Sequence, residues 1–193
     1  LLAYAAVAIT LLVRYVLNLG TGWVLVRRAR PLEGAPMAGA TLRASRHVRM
    51  PATFGATILV PMDFMDWDAG QRNAVLLHEC THIRNRDFYW QMAAQLHRIV
   101  FWFSPLAWFL PRQLSALAED LSDDAAIEGI SDRVMYAGIL LTISARHREI
   151  PAALAMAQPA TLPQRIDRIL RERRCWPQPR RMRQAAVLLA LAP

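Results

Sequence analysis

The chain has 193 residues, enough for one compact domain with a real core and too few to argue for two. Its apolar content of 54% and mean hydropathy of +0.17 lie above the usual range for soluble domains, so part of its apolar surface is meant for lipid. The net charge of +8 sits beside apolar segments, at Arg27, Arg28 and Arg30 and from Arg171 to Arg183, which suits a membrane border and disfavours a nucleic-acid surface, and two cysteines, Cys80 and Cys175, exclude a disulfide framework.

Residues 1–26 are almost continuously apolar, and as a helix they reach roughly 39 Å, enough to cross a hydrocarbon layer of about 30 Å. Arg14 and Asn18 interrupt this transmembrane helix, and polar groups at that depth must face protein partners or snorkel. A second apolar run, 184–193, follows Arg180, Arg181 and Arg183 and reads as the start of a further span, so the chain reads as a segment of a longer protein. Both basic flanks face the region between the spans, which places residues 27–183 in the cytoplasm by the positive-inside rule.

Within that region Arg46–Met50 and Ala56–Val60 are short β-prone runs separated by the turn-rich stretch Pro51–Gly55, the pattern of a hairpin. Asp68-Ala-Gly-Gln71 has the form of a capping box and predicts a long helix from Ala69 to about His97. Residues 99–110, IVFWFSPLAWFL, are too few to span a bilayer and read as an interfacial or re-entrant segment, with a buried core hairpin as the other possibility. Helices are then expected over Arg112–Glu128, stopping at Gly129, over Asp132 to about His147 behind Ser131, and over Leu162 to about Arg173 behind Thr161.

The long helix carries His78-Glu79-Cys80-Thr81-His82. Residues four apart project from one helical face, so His78 and His82 can offer two imidazole nitrogens to a single ion. Glu79 falls beside such an ion, where a carboxylate can take a proton from bound water, and zinc is the metal this pattern suits. A catalytic zinc needs three protein ligands and an open position, so a third must come from elsewhere. Glu119 and Asp123 are four apart on the next predicted helix and share a face, while Asp120, Asp124 and Glu128 read as its solvated side. Cys80 points to another face and is expected to pack. His47, His97 and His147 are isolated and stay outside the site, and Tyr136 is expected in the core, with a donor role towards an oxyanion as the lesser alternative.

These motifs resemble the BlaR/MecR type of antirepressor membrane metallopeptidases, zinc proteases that relay β-lactam sensing in bacteria. The resemblance is carried by the HExxH helix with its extension to Asp87, by Trp102-Phe-Ser-Pro-Leu-Ala-Trp108 and by Glu119-Asp-Leu-Ser-Asp-Asp-Ala-Ala126, with weaker agreement over Pro51–Pro61, Tyr136-Ala137 and Arg165-Ile166. It implies Glu119 as the third ligand, and Asp123 as the aspartate of an ExxxD pattern that supports a ligating histidine. It further implies a site facing the cytoplasm between transmembrane helices, and regulated cleavage of the protein itself and of a cytoplasmic transcriptional repressor. The family often carries cysteine where Ser122 stands. The chain contains no lysine, and so no S-x-x-K of a penicillin-binding sensor.

The expectation is therefore a mainly α, membrane-anchored, zincin-like metallopeptidase domain with a small β-hairpin or short sheet. Its metal ion would be Zn2+, held by His78, His82 and Glu119, with Glu79 as general base and Asp123 behind the ligands. Expected partners are a protein substrate and the lipid bilayer of a bacterial inner membrane crossed more than once, with homo-oligomers possible and no direct nucleic acid. The competing expectation is a catalytically inactive signal-coupling or scaffold module that keeps a structural zinc site.

Overall fold

The computed structural model describes residues 1–34, 36–37, 39–146 and 162–171. Helix α1, Leu2–Arg28, presents almost its whole surface outward, burying only Gly22. Among the described residues it is the one helix long and apolar enough to cross a membrane, which fits membrane anchoring. Arg27 and Arg28 lie in its last turn, where cations complement the helix dipole, and the Arg43 guanidinium donates to the carbonyls of Val26 and Ala29 at 3.3 and 3.2 Å. That contact joins the helix to the sheet that follows it.

The sheet contains β1 (Arg30–Pro31), β2 (Thr41–Ala44), β3 (Ala52–Phe54) and β4 (Thr57–Val60) in the order β1-β2-β4-β3. Strands β2 and β4 run parallel and the other pairs are antiparallel. Ile58, Leu59 and Val60 of β4 are fully buried, because this inner strand is covered on both faces: Ile58 and Val60 point to the helical core and Leu59 to Ala29 and Val48. The hairpin differs from expectation. Its two-residue loop is Gly55-Ala56, with Gly55 at φ +62°, so its first strand is Ala52–Phe54, inside the stretch read as the turn, and Arg46–Met50 is not a strand. The tight turn sets the register and overrides the β-propensity of the earlier run.

Helix α2, Ala69–Asn85, starts as the sequence predicts: the Asp68 carboxylate accepts from the backbone N–H groups of Gly70 and Gln71 at 2.8 and 3.2 Å. The single helix expected to run to His97 is broken. Arg86 adopts left-handed φ/ψ (57°, 36°), ends α2 and starts α3, Asp87–Val100. A non-glycine residue in that conformation costs on the order of 1 kcal/mol, and the break redirects the chain so that Asp87 turns back towards His82. Helix α4, Pro105–Ile130, begins earlier than expected, with Pro105 as its first residue behind Ser104. Residues 99–110 are thus the end of α3, a short turn and the opening of α4. Ser131, at φ +61°, closes α4, and Asp132 caps α5 (Arg133–Arg146) by accepting from the Met135 N–H at 2.9 Å. Helix α6 is Leu162–Leu170. The expected span 184–193, His147 and Cys175 lie outside the described residues.

The main core joins sheet residues Leu42, Ile58 and Val60 to Ala74 and Val75 of α2, Ala126 and Ile127 of α4, Ile139 and Ile143 of α5 and Ile169 of α6. Helices α3 and α4 form an antiparallel hairpin around Ala94, Leu110 and Leu114, and α3 also lies against α1. At one end of that contact the ring of Phe54 fills the place a Cβ at Gly22 would take, and stacks on Phe88 at 4.7 Å. At the other end the Tyr4 hydroxyl donates to the Val100 carbonyl at 2.7 Å, with Trp102 and Phe103 beside it. The hairpin therefore follows α1 from Gly22 to Tyr4, roughly 27 Å along its axis.

Candidate metal centre

Helix α2 crosses α4 just before its break, which brings three donors from the two helices to one point. His78 Nε2 and His82 Nε2 lie 3.2 Å apart. Glu119 places Oε2 at 3.6 Å from the first and Oε1 at 3.8 Å from the second. These atoms form a group suited to a metal ion. Bonds of about 2.0 to 2.2 Å at tetrahedral angles set neighbouring donors roughly 3.3 to 3.6 Å apart, so the spacing fits a zinc-sized ion with little adjustment.

The far side of each imidazole is also held. His82 Nδ1 is 2.9 Å from the Asp87 carboxylate and 3.3 Å from the Ser122 hydroxyl. His78 Nδ1 is 3.0 Å from the Tyr136 hydroxyl and 3.3 Å from Asp123 Oδ1, and that hydroxyl in turn donates to Asp123 at 2.8 Å. With each Nδ1–H donating to these acceptors, both Nε2 lone pairs face the common point. Two carboxylates and a phenol thus fix the tautomer that a metal requires.

Asp123 is fully buried, and Arg165 of α6 closes over it in a fork, Nε to Oδ2 at 3.0 Å and Nη2 to Oδ1 at 2.6 Å. The remaining guanidinium nitrogen, Nη1, lies 2.8 Å from Glu119 Oε2. Burial alone would push His78 down, but hydrogen bonds to Asp123 and Glu119 and their negative charge push it up to about 10. Burial would raise Glu119, and the charge of Arg165, with His78 and His82, holds it at about 2. Asp123 is likewise kept well below the usual carboxylate range, against its burial, by His78 and Arg165. The cluster is arranged for cationic charge between its carboxylates, and a divalent ion meets that need in place of a proton.

Glu79 is buried next to the edge strand β3, where the Thr53 hydroxyl donates to its Oε2 at 2.7 Å, and it is not among the three converging donors. Cys80 packs against the main core, as expected. His47 is exposed, and His97 is buried with its ring on Phe101 at 4.7 Å, so neither joins the site.

One sequence reading needs correction. Asp120 and Asp124 are not a solvated face: both are half-buried and paired with Arg168 of α6, at 2.9 and 2.7 Å, whereas Glu128 is exposed. They face the groove where α6 docks, and acidic residues on a helix show no sign of that in sequence alone. Tyr136 lies in the main core, as expected, and its hydroxyl contacts Asp123 and His78 Nδ1.

Thr53, Asp87 and Arg165 received no role from the sequence. Asp87 had a signal, five residues beyond His82 at the end of the motif's extension, but its contact depends on the left-handed Arg86. Thr53 and Arg165 lie 26 and 42 residues from their partners Glu79 and Asp123, and only tertiary packing unites them.

A family model described as BlaR1 peptidase M56 matches residues 3–169. The Regulatory protein BlaR1 of Bacillus licheniformis is 27% identical over 122 residues, which cover 61% of this chain and 20% of that protein. The chain spans about a fifth of the length of that curated relative. With a match that runs from α1 through α6 and includes every residue of the site, the chain belongs to the BlaR1 peptidase M56 family of metallopeptidases.

Proposed function

We propose that this chain is the catalytic part of a membrane zinc metalloendopeptidase that cleaves a protein substrate. The observation that carries the reading is the convergence of His78 Nε2, His82 Nε2 and a Glu119 carboxylate oxygen on one point, with each imidazole oriented from behind by a carboxylate. A zinc ion bound there supplies acidification of a water molecule, towards a pKa of about 7, and polarisation of the scissile carbonyl. His78, His82 and Glu119 hold the ion, and Asp87 and Asp123 keep the two imidazoles in the ligating tautomer. Glu79 acts as general base: the Thr53 hydroxyl occupies its Oε2, and the other oxygen takes the proton from the attacking water and passes it to the leaving amine. Among the described residues no strand pairs with the outer side of β3, so this edge next to Glu79 offers backbone groups to an extended peptide.

In this reading the α3–α4 hairpin is a re-entrant element that enters the bilayer beside α1, and the site sits where the helices leave the membrane on the cytoplasmic side. The hairpin follows α1 over a length close to the hydrocarbon thickness, and its tip exposes Phe101, Phe103, Leu106, Trp108 and Phe109. Arg27, Arg28 and Arg30 mark the opposite, cytoplasmic border. A Phe103→Cys variant carrying an environment-sensitive fluorophore, in vesicles, is expected to be quenched by bromines placed within the acyl chains. Quenching only by a water-soluble agent would remove the hairpin from the bilayer.

The substrate follows from family resemblance: a cytoplasmic transcriptional repressor, and the protein itself, cleaved to pass a signal across the inner membrane. The zinc-loaded protein in vesicles, incubated with candidate repressors, should generate new peptide termini that a chelator suppresses. No new termini, with or without chelator, would leave a non-catalytic scaffold as the better reading.

A further inference from the structure

We propose that Arg165 is a positioning residue of the metal centre, holding the third ligand Glu119 in register with His78 through a single guanidinium. The proposal rests on the metallopeptidase reading and concerns which part of the chain fixes the geometry of that site.

A glutamate ligand needs one oxygen on the ion, and its carboxylate must be kept from rotating or swinging away. Among the described residues no main-chain donor does so. Arg165 Nη1 contacts Glu119 Oε2 at 2.8 Å, while its Nε and Nη2 make a two-point fork on Asp123 at 3.0 and 2.6 Å. Asp123 also contacts His78 Nδ1, so one planar cation connects the carboxylate on α4 to the back of the imidazole on α2. The fork geometry is specific to arginine: a lysine ammonium is a point charge and cannot span both carboxylates in this plane.

The placement of Arg165 is itself secured. One turn further along α6, Arg168 pairs with Asp120 and Asp124, and Ile169 is buried in the main core. Two arginines three residues apart thus hold α6 along the acidic face of α4, which explains why Asp120 and Asp124 are half-buried. The guanidinium also separates Glu119 and Asp123, whose like charges would otherwise repel across one helical turn. Its three contacts all lie on carboxylates, which marks it as a residue that acts through Glu119 and Asp123.

The test uses the whole chain in lipid vesicles or detergent, with metal alone as probe. Zinc affinity is measured by competition with a chelator, and the visible absorption of the cobalt(II)-substituted protein reports ligand number and geometry. For Arg165→Gln, with Asp120→Asn as a control that weakens α6 docking without touching Glu119, zinc affinity should fall about ten- to a hundredfold and the cobalt spectrum should change. The control should keep the wild-type spectrum. Arg165→Lys, which retains the charge and the fold, should recover only part of the affinity and still show an altered spectrum. Wild-type affinity and spectrum in either Arg165 variant would overturn the proposal, as would an equal change in the Asp120 control. A wild-type protein that takes up no zinc would overturn the metal reading itself, which separates the two failures.

Discussion

Replacing Glu79 with glutamine is expected to lower the rate of peptide-bond cleavage by about 10²- to 10⁴-fold while leaving zinc content and affinity unchanged. Glu79 is not among the donors that converge on the metal point, so its charge is not needed to hold the ion. The substitution keeps shape and one carbonyl oxygen, so the Thr53 hydroxyl retains an acceptor and β3 stays where it is. What disappears, in the proposed mechanism, is the basic oxygen that receives the proton of the attacking water. Zinc stoichiometry and new-terminus formation measured on one preparation check both halves of the expectation. A variant that cleaves at the wild-type rate would remove Glu79 from the mechanism, and a variant that loses its metal would make it a ligand.

The part of this site that the sequence discloses is the part built from local periodicity. His78 and His82 are one helical turn apart on a helix whose start is written in Asp68, and Glu119 and Asp123 repeat that spacing on α4. Residue chemistry alone did not separate Glu119 from Asp120 or Asp123 from Asp124; family resemblance made that choice. The distinction is physical nonetheless, because α4 turns Glu119 and Asp123 to α2 and Asp120 and Asp124 to Arg168, and a rotation of about 100° per residue decides which carboxylate meets which cation.

The break at Arg86 shows why the fold was only partly legible. Nothing between Ala69 and His97 forbids a continuous helix, since no proline or late glycine interrupts it. Tertiary contacts override local preference there: the break allows α3 to run along α1 and delivers Asp87 to His82. The first hairpin strand departs from its expected place for the converse reason. A two-residue turn at Gly55-Ala56 fixes the register of β3, and β3 in turn puts Thr53 against Glu79. In both places the element whose position the sequence concealed carries a residue that touches the site.

Asp123→Ala is expected to be the most destabilising single change in the domain. Asp123 has no exposed surface, yet it accepts the Arg165 fork, takes the Tyr136 hydroxyl and lies 3.3 Å from His78 Nδ1. Removing it leaves a buried guanidinium and a buried phenol without their shared acceptor, and breaking a buried ion pair in this one-sided way costs about 3 to 5 kcal/mol. For a chain of this size that corresponds to a fall in Tm of roughly 6 to 20 °C. Asp120→Ala serves as the comparison. It removes a carboxylate of the same charge, three residues away, whose side chain is 27% exposed, and Arg168 keeps Asp124 as a partner. Solvent screening reduces such a pair to about 1 kcal/mol or less. Thermal unfolding of the two variants, followed by near-ultraviolet circular dichroism in the same detergent, separates burial from charge. Equal shifts would mean that the enclosed network around Asp123 adds nothing beyond a half-buried carboxylate with one ion pair, and that Tyr136 and Arg165 find other partners when it is gone.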